Sequence, residues 1–220
     1  MNLAIFDLDK TLVKIDTADA WSNYICELGL INNIDQFKAK NCIYESQYDQ
    51  GTLNMRESVE FNLKPLIHIN LPELRKIINK FISKKIIPNI YSTSYEVIKK
   101  HQQNGDLILL ISATVEELVI PIGEILGFDY QNIIAIKTTK NNNQLTGKTN
   151  GIISFREGKV ECLQAWLKIE QIKINRTYFY SDSHNDLALL EYVDHPIATN
   201  PSKKLEAIAK QKKWEILHLR

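Results

Sequence analysis

Cysteine is scarce: only Cys26, Cys42 and Cys162 occur in 220 residues. They are scattered and show neither Cys-x-x-Cys nor histidine-paired spacing, which suggests reduced thiols rather than a disulfide framework. Charge of one sign is lacking too. Lys and Arg number 27 and Asp and Glu 26, leaving a net charge of +1, so no global field draws in nucleic acid or an anionic membrane. No apolar run approaches membrane-spanning length. The N-terminus passes directly into Asp7 and Asp9, which no signal peptide tolerates. These absences predict a cytoplasmic protein with neither nucleic-acid nor membrane partners. The one basic run, Lys210-Gln211-Lys212-Lys213, reads as the exposed end of a surface helix.

What is present is ordinary globular material, 44% hydrophobic and 24% charged, enough for one sizeable core with an inserted smaller unit. Leu3-Ala4-Ile5-Phe6 and Leu107-Ile108-Leu109-Leu110-Ile111 are continuous apolar runs, the pattern of parallel strands covered on both faces. Ile133 to Ile136 and Tyr178-Phe179-Tyr180 add two strands, and Ile197-Ala198 and Glu215-Ile216-Leu217 read as edge strands. Lys137 to Asn150, with its asparagine cluster and Gly147, reads as a hairpin or surface excursion.

Helical patterns fill the remainder. Thr17 can cap a helix with Ala18, Trp21, Ile25 and Leu28 on its apolar face, and Gly29 stops it. Further helices are predicted around Phe37 to Tyr48, from Asn54 to Leu63, and after Asn70 and Pro72. Thr93 with Glu96 and Thr114 with Glu117 have capping-box spacing, and Asn200 with Pro201 can start a last helix. Strands alternating with helices imply an α/β fold, a Rossmann-like, doubly wound, mostly parallel sheet. Residues 15–86 contain no strand pattern and are expected to form an all-helical insertion, with residues 1–14 and 87–220 as the core.

Three of the apolar strands end in polar residues: Asp7 and Asp9, then Ser112, then Asp182 and Asp186. Parallel strands gather those carboxyl ends at one edge of the sheet, where open α/β sheets bind ligands. Clustered carboxylates repel and raise each other's pKa unless a cation is held among them. Mg²⁺ takes such oxygens together with substrate phosphate, and a helix opening at Thr114 offers phosphate a positive end. That combination suits phosphoryl transfer. Lys159, after Gly158 at a helix start, supplies a further cation, although its own neighbourhood reads as that of a solvated lysine. His184 reads as shaping its turn or facing solvent, and His68 as packed or surface.

Asp7-Leu8-Asp9-Lys10-Thr11, Ser112-Ala113-Thr114, Lys159 and Asp182-Ser183-His184-Asn185-Asp186 resemble, in order, the four motifs of the haloacid dehalogenase superfamily. The insertion after the first motif resembles the C1-type helical cap of its phosphoserine phosphatase-like branch. The resemblance implies a phosphatase with Asp7 as nucleophile, Asp9 as general acid and then base, and Lys159 offsetting charge. It implies Mg²⁺ on Asp7, Asp182 and the backbone carbonyl of Asp9, with Asp186 in support. Substrate contacts are implied for Thr11, Ser112, Ala113 and Asn185, and for Asp16, which stands where phosphoserine phosphatases place a glutamate. Their cap arginine falls in register near Asn62, with Arg56 on another helical face. A small phosphorylated metabolite is the implied partner, phosphoserine or another amino or polyol phosphate such as histidinol phosphate. A two-component receiver domain also clusters acids and a lysine, but it lacks the insertion. A catalytically silent phospho-ligand binding module is the third reading, against which stand the intact Asp7, Asp9, Lys159 and Asp182.

Overall fold

Strand β1 (Leu3–Phe6) has no exposed residue, and in the computed structural model, which describes all 220 residues, it lies at the middle of the sheet. It pairs in parallel with β2 (Leu107–Val115) on one side and β5 (Thr177–Ser181) on the other. Beyond β2 lie β3 (Ile133–Asn141) and the antiparallel β4 (Gln144–Asn150); beyond β5 lie β6 (His195–Thr199) and β7 (Glu215–Leu217). The order β4-β3-β2-β1-β5-β6-β7 reverses direction at β1. Its carboxyl end therefore opens on a crevice between outward-going halves of the sheet. The Lys137–Asn150 tract is a hairpin, closed by Asn142 and Asn143, both at positive φ. That conformation matches a two-residue turn to the twist of its strands.

Between β1 and β2 the chain forms α1 (Thr17–Glu27), α2 (Ile34–Gln50), α3 (Met55–Leu63), α4 (Leu71–Phe81) and α5 (Ser92–Gln103). After β2 come α6 (Glu116–Ile125), α7 (Glu157–Glu170), α8 (Leu187–Tyr192) and α9 (Lys203–Lys212). Leu163, Leu190 and Leu205, from α7, α8 and α9, join Leu3, Ile5 and Phe179 in one cluster. A second cluster joins Phe6 and Leu110 on the other face to Ile98 and Val119, and runs on into Trp21, Ile25, Phe37, Leu74 and Phe81. The helical segment and the sheet thus share apolar packing. No helix is long and apolar enough to cross a membrane.

Four predicted caps are used differently. Strand β2 continues to Val115, so α6 opens one residue later than a Thr114 cap requires, and Val115 makes no side-chain cap. Helix α5 likewise opens without one, because the Thr93 hydroxyl bonds the backbone of Arg220 at both its N–H and its carbonyl. Asn200 is turned to the N–H of Leu219, and Ser202 caps α9 instead. At α1 the cap is Asp16 rather than Thr17.

Candidate active site

The turn after β1 is held by its own residues. Lys10 takes a left-handed conformation (φ 57°), and the Thr11 hydroxyl donates back to Asp7 Oδ2 at 2.9 Å. The same hydroxyl accepts from the backbone N–H of Asp182 at 3.0 Å, tying the β1 turn to the loop after β5. Asp7 Oδ1 accepts from Lys159 Nζ at 2.7 Å, and that ammonium also donates to Asp186 Oδ2 at 2.8 Å. Asp186 Oδ2 takes a further bond from Ser181 Oγ at 2.7 Å.

Lys159 is 1% exposed, so the solvated reading of this lysine is wrong. Its burial follows from Gly158: a Cβ there would stand 2.0 Å from the carbonyl oxygen of Ile153, and only glycine lets α7 start so close to the preceding loop. Carboxylates on both sides hold the Lys159 pKa above the usual lysine value despite desolvation.

The acids crowd one another. Burial, opposed by Lys159 and reinforced by Asp186, pushes Asp7 up to about 6. Asp182 is held well above the carboxylate range by burial and then by Asp7 and Asp186. Asp9 faces a separate set of donors: its Oδ1 accepts from Thr17 N–H at 2.6 Å and its Oδ2 from Thr114 Oγ1 at 3.0 Å. Burial, Asp16 and Asp7 raise it to about 7. One lysine cannot balance these carboxylates, and hard oxygens in excess of positive charge are a donor set for a divalent cation. No three of them stand in position to cage a metal by themselves, which fits an ion that completes its shell with water and substrate oxygens.

The remaining predicted residues divide. Ala113 and Thr114 line a cavity of about 1040 Å³ beside Asp7, Asp9, Lys159, Asp182 and Asp186. Ser112 does not: it lies within β2, fully buried, its hydroxyl accepting from Thr114 N–H at 3.2 Å. Asn185 is buried as well, and its amide donates to Tyr48 O of α2 at 3.3 Å. Asp16 lines the cavity, but its Oδ1 caps α1 by accepting from Asp19 N–H at 3.0 Å. Arg56 is turned to Thr149 and to the Gly151 carbonyl on the β4 side, while Asn62 bonds Ser22 and Asn41 within the helical segment. Sequence reasoning missed the donors on Asp9, since Thr17 and Thr114 were both read as caps. It also missed Ser181 and Tyr48, whose hydroxyl meets Ser183 Oγ at 3.2 Å; the Ser-Asp-Ser run was the only hint of the former.

The haloacid dehalogenase-like hydrolase family model matches residues 4–191. The chain is 37% identical to a histidinol-phosphatase of Neisseria meningitidis serogroup C, over 100% of this chain and 99% of that one. It is 27% identical to the phosphoserine phosphatase of Methanocaldococcus jannaschii, over 89% and 84% of the two chains. A Bordetella pertussis protein described as of unknown function has the same fold, with a TM-score of 0.91 and 32% identity over 98% of this chain and 97% of that one. With the motifs above gathered at one sheet edge, the chain belongs to the haloacid dehalogenase-like hydrolase family.

Proposed function

We propose that this hydrolase cleaves a small amino-bearing phosphomonoester, with histidinol phosphate the first candidate, through a phosphoryl group carried on Asp7. The observation that carries the chemistry is Lys159 Nζ bridging Asp7 and Asp186 beneath the cavity, at 2.7 and 2.8 Å. The buried lysine holds the Asp7 carboxylate in place and balances part of the charge a phosphate brings. Thr11 fixes the other Asp7 oxygen. In the first step an Asp7 oxygen attacks phosphorus, the ester P–O bond breaks, and Asp9 gives its proton to the leaving oxygen. In the second, Asp9 takes a proton from water as that water attacks the acyl phosphate, releasing inorganic phosphate and restoring Asp7. A group near pKa 7 suits both directions of proton transfer.

Mg²⁺ fits the unbalanced carboxylates: Asp7, Asp182 and the backbone carbonyl of Asp9 would hold it, with Asp186 in support directly or through water. When bound it supplies charge neutralisation for the phosphoryl oxygens. Residues 15–86 serve as the cap that walls the cavity and excludes bulk water.

Two features support the amino-bearing substrate. Asp16, Asp19, Glu45 and Asp49 also line the cavity, and no arginine does. Lys10 faces Asp16 and Lys204 is committed to the Asp49 carbonyl, leaving the exposed Lys38 and Lys203 at the rim. A cationic leaving group meets partners there, whereas the carboxylate of phosphoserine meets acids. The test is steady-state hydrolysis of histidinol phosphate, phosphoserine and p-nitrophenyl phosphate, with Mg²⁺ and with EDTA. A charge-assisted bond worth about 1.5–3 kcal/mol predicts kcat/KM for histidinol phosphate roughly tenfold or more above phosphoserine. Equal or better turnover of phosphoserine overturns the substrate reading, and activity undiminished by EDTA overturns the metal.

A further inference from the structure

The last turn of α2 accepts side-chain donors from three separate segments at the sheet edge: the loop after β5, the start of α9 and the loop before α7. Asn185 Nδ2 donates to Tyr48 O at 3.3 Å, Lys204 Nζ to Asp49 O at 2.5 Å, and Arg156 Nη1 to Gly51 O at 2.6 Å. A helix end runs out of N–H partners for its carbonyls and carries partial negative charge, so two cations and an amide are well matched to it. The rings of Tyr48 and Phe155 meet here at 5.6 Å. Elsewhere the helical segment joins the rest by apolar packing as well as by hydrogen bonds, with Leu63, Leu66 and Leu74 in one cluster with Leu118 and Leu145, and with Arg56 and Glu60 of α3 bonded to Thr149. Its α2 end, where Tyr48 and Asp49 wall the cavity, is held chiefly by hydrogen bonds. Contacts of that kind open locally at low cost.

Arg156 stands apart from the other two donors. Its backbone sits at φ 54°, ψ −124°, a region non-glycine residues avoid. Strain of this kind persists only where the surroundings impose it. The surroundings are visible: the guanidinium reaches Gly51 O, while the Arg156 carbonyl accepts from the N–H of Lys159 at 3.0 Å. One residue thus grips the α2 end with its side chain and the Lys159 turn with its backbone.

We propose that Arg156 is a positioning residue whose bond to Gly51 closes the α2 end over the cavity and, in the same contact, sets the turn that carries Lys159. The closure stands on this geometry alone; its effect on turnover rests on the phosphatase reading.

The test compares wild type with Arg156→Gly, which removes guanidinium and backbone strain together and so keeps the fold, and with Arg156→Lys, which restores one cation. Hydrogen exchange of residues 47–53 is expected to accelerate about tenfold in Arg156→Gly, while α4 and α5 exchange as in wild type. With p-nitrophenyl phosphate, kcat is expected to fall on the order of tenfold with KM changed by less than about twofold. Arg156→Lys recovers part of both. Unchanged exchange at 47–53, or acceleration spread equally through α3 and α4, overturns the closure. Full kcat beside a loosened 47–53 overturns the positioning role. Exchange needs no substrate, so a wild type inactive on every phosphomonoester defeats the phosphatase reading and leaves exchange to decide the closure.

Discussion

Lys159→Met is the most informative single change in the core, because it removes a charge while keeping most of the volume. Lys159 is 1% exposed and bonds two carboxylates that are themselves buried, Asp7 at 2.7 Å and Asp186 at 2.8 Å. Its Nζ lies 5.6 Å from the centroid of the Phe179 ring, and a methionine thioether is tolerated beside an aromatic ring. Removing one partner of a buried ion pair costs about 3–5 kcal/mol, because the charge left behind is unpaired. For a chain of this size that corresponds to a fall in Tm of roughly 6–20 °C. The loss depends on pH in a direction that can be worked out. Asp7 already binds its proton more tightly in the fold than unfolded, at about 6 against 3.8, so it opposes folding most above that pKa. Without Lys159 its folded pKa rises further, and the added penalty is complete only at alkaline pH. As pH falls towards 5 the folded variant takes up the proton and the penalty shrinks. Thermal unfolding of wild type and variant at pH 8 and pH 5, with a chelator present, measures both. A loss below about 1 kcal/mol at both values, or a larger loss at pH 5, refutes the reasoning.

Asp9→Asn is expected to slow esters with poor leaving groups more than p-nitrophenyl phosphate, whose leaving group needs little protonation; equal losses on both remove Asp9 from general-acid work. Asp16→Ala loses the α1 cap bond to Asp19 N–H and is expected to destabilise by about 0.5–2 kcal/mol. If its carboxylate also meets an amine on the substrate, kcat/KM falls on histidinol phosphate and holds on p-nitrophenyl phosphate. A parallel fall on both substrates with a lowered Tm assigns Asp16 to helix capping alone.

The middle of the sheet was legible because β1 and the first part of β2 are apolar without interruption, and a period-free run such as Leu107 to Ile111 is the pattern of a strand covered on both faces. The acids were legible for a related reason: each ends such a strand, and parallel pairing collects strand ends. Caps were the weak point. Thr93, Thr114 and Asn200 have capping chemistry, but each satisfies a more distant partner: the chain end, Asp9 and Leu219 respectively. Local spacing carries no trace of such partners. Ser112 shows the same limit, since a strand four residues longer than its apolar run turns a predicted loop hydroxyl into a buried one. Lys159 was legible only through the order of the motifs, because its own neighbourhood reads as solvated; the burial of this helix start follows from Gly158 lying against the Ile153 carbonyl, a contact that appears only in the fold. Arg156 left no sign, because neither its φ nor its contact with Gly51 has a composition signature.

The central claim is that Asp7 carries the phosphoryl group. Acid quench during turnover, followed by borohydride reduction and peptide mapping, converts an aspartyl phosphate to homoserine at the residue that bore it. The account predicts homoserine at position 7 in wild type and none in Asp7→Asn, which should also be inactive. Turnover with Asp7 recovered unmodified, or homoserine at Asp9 or Asp182 instead, contradicts it.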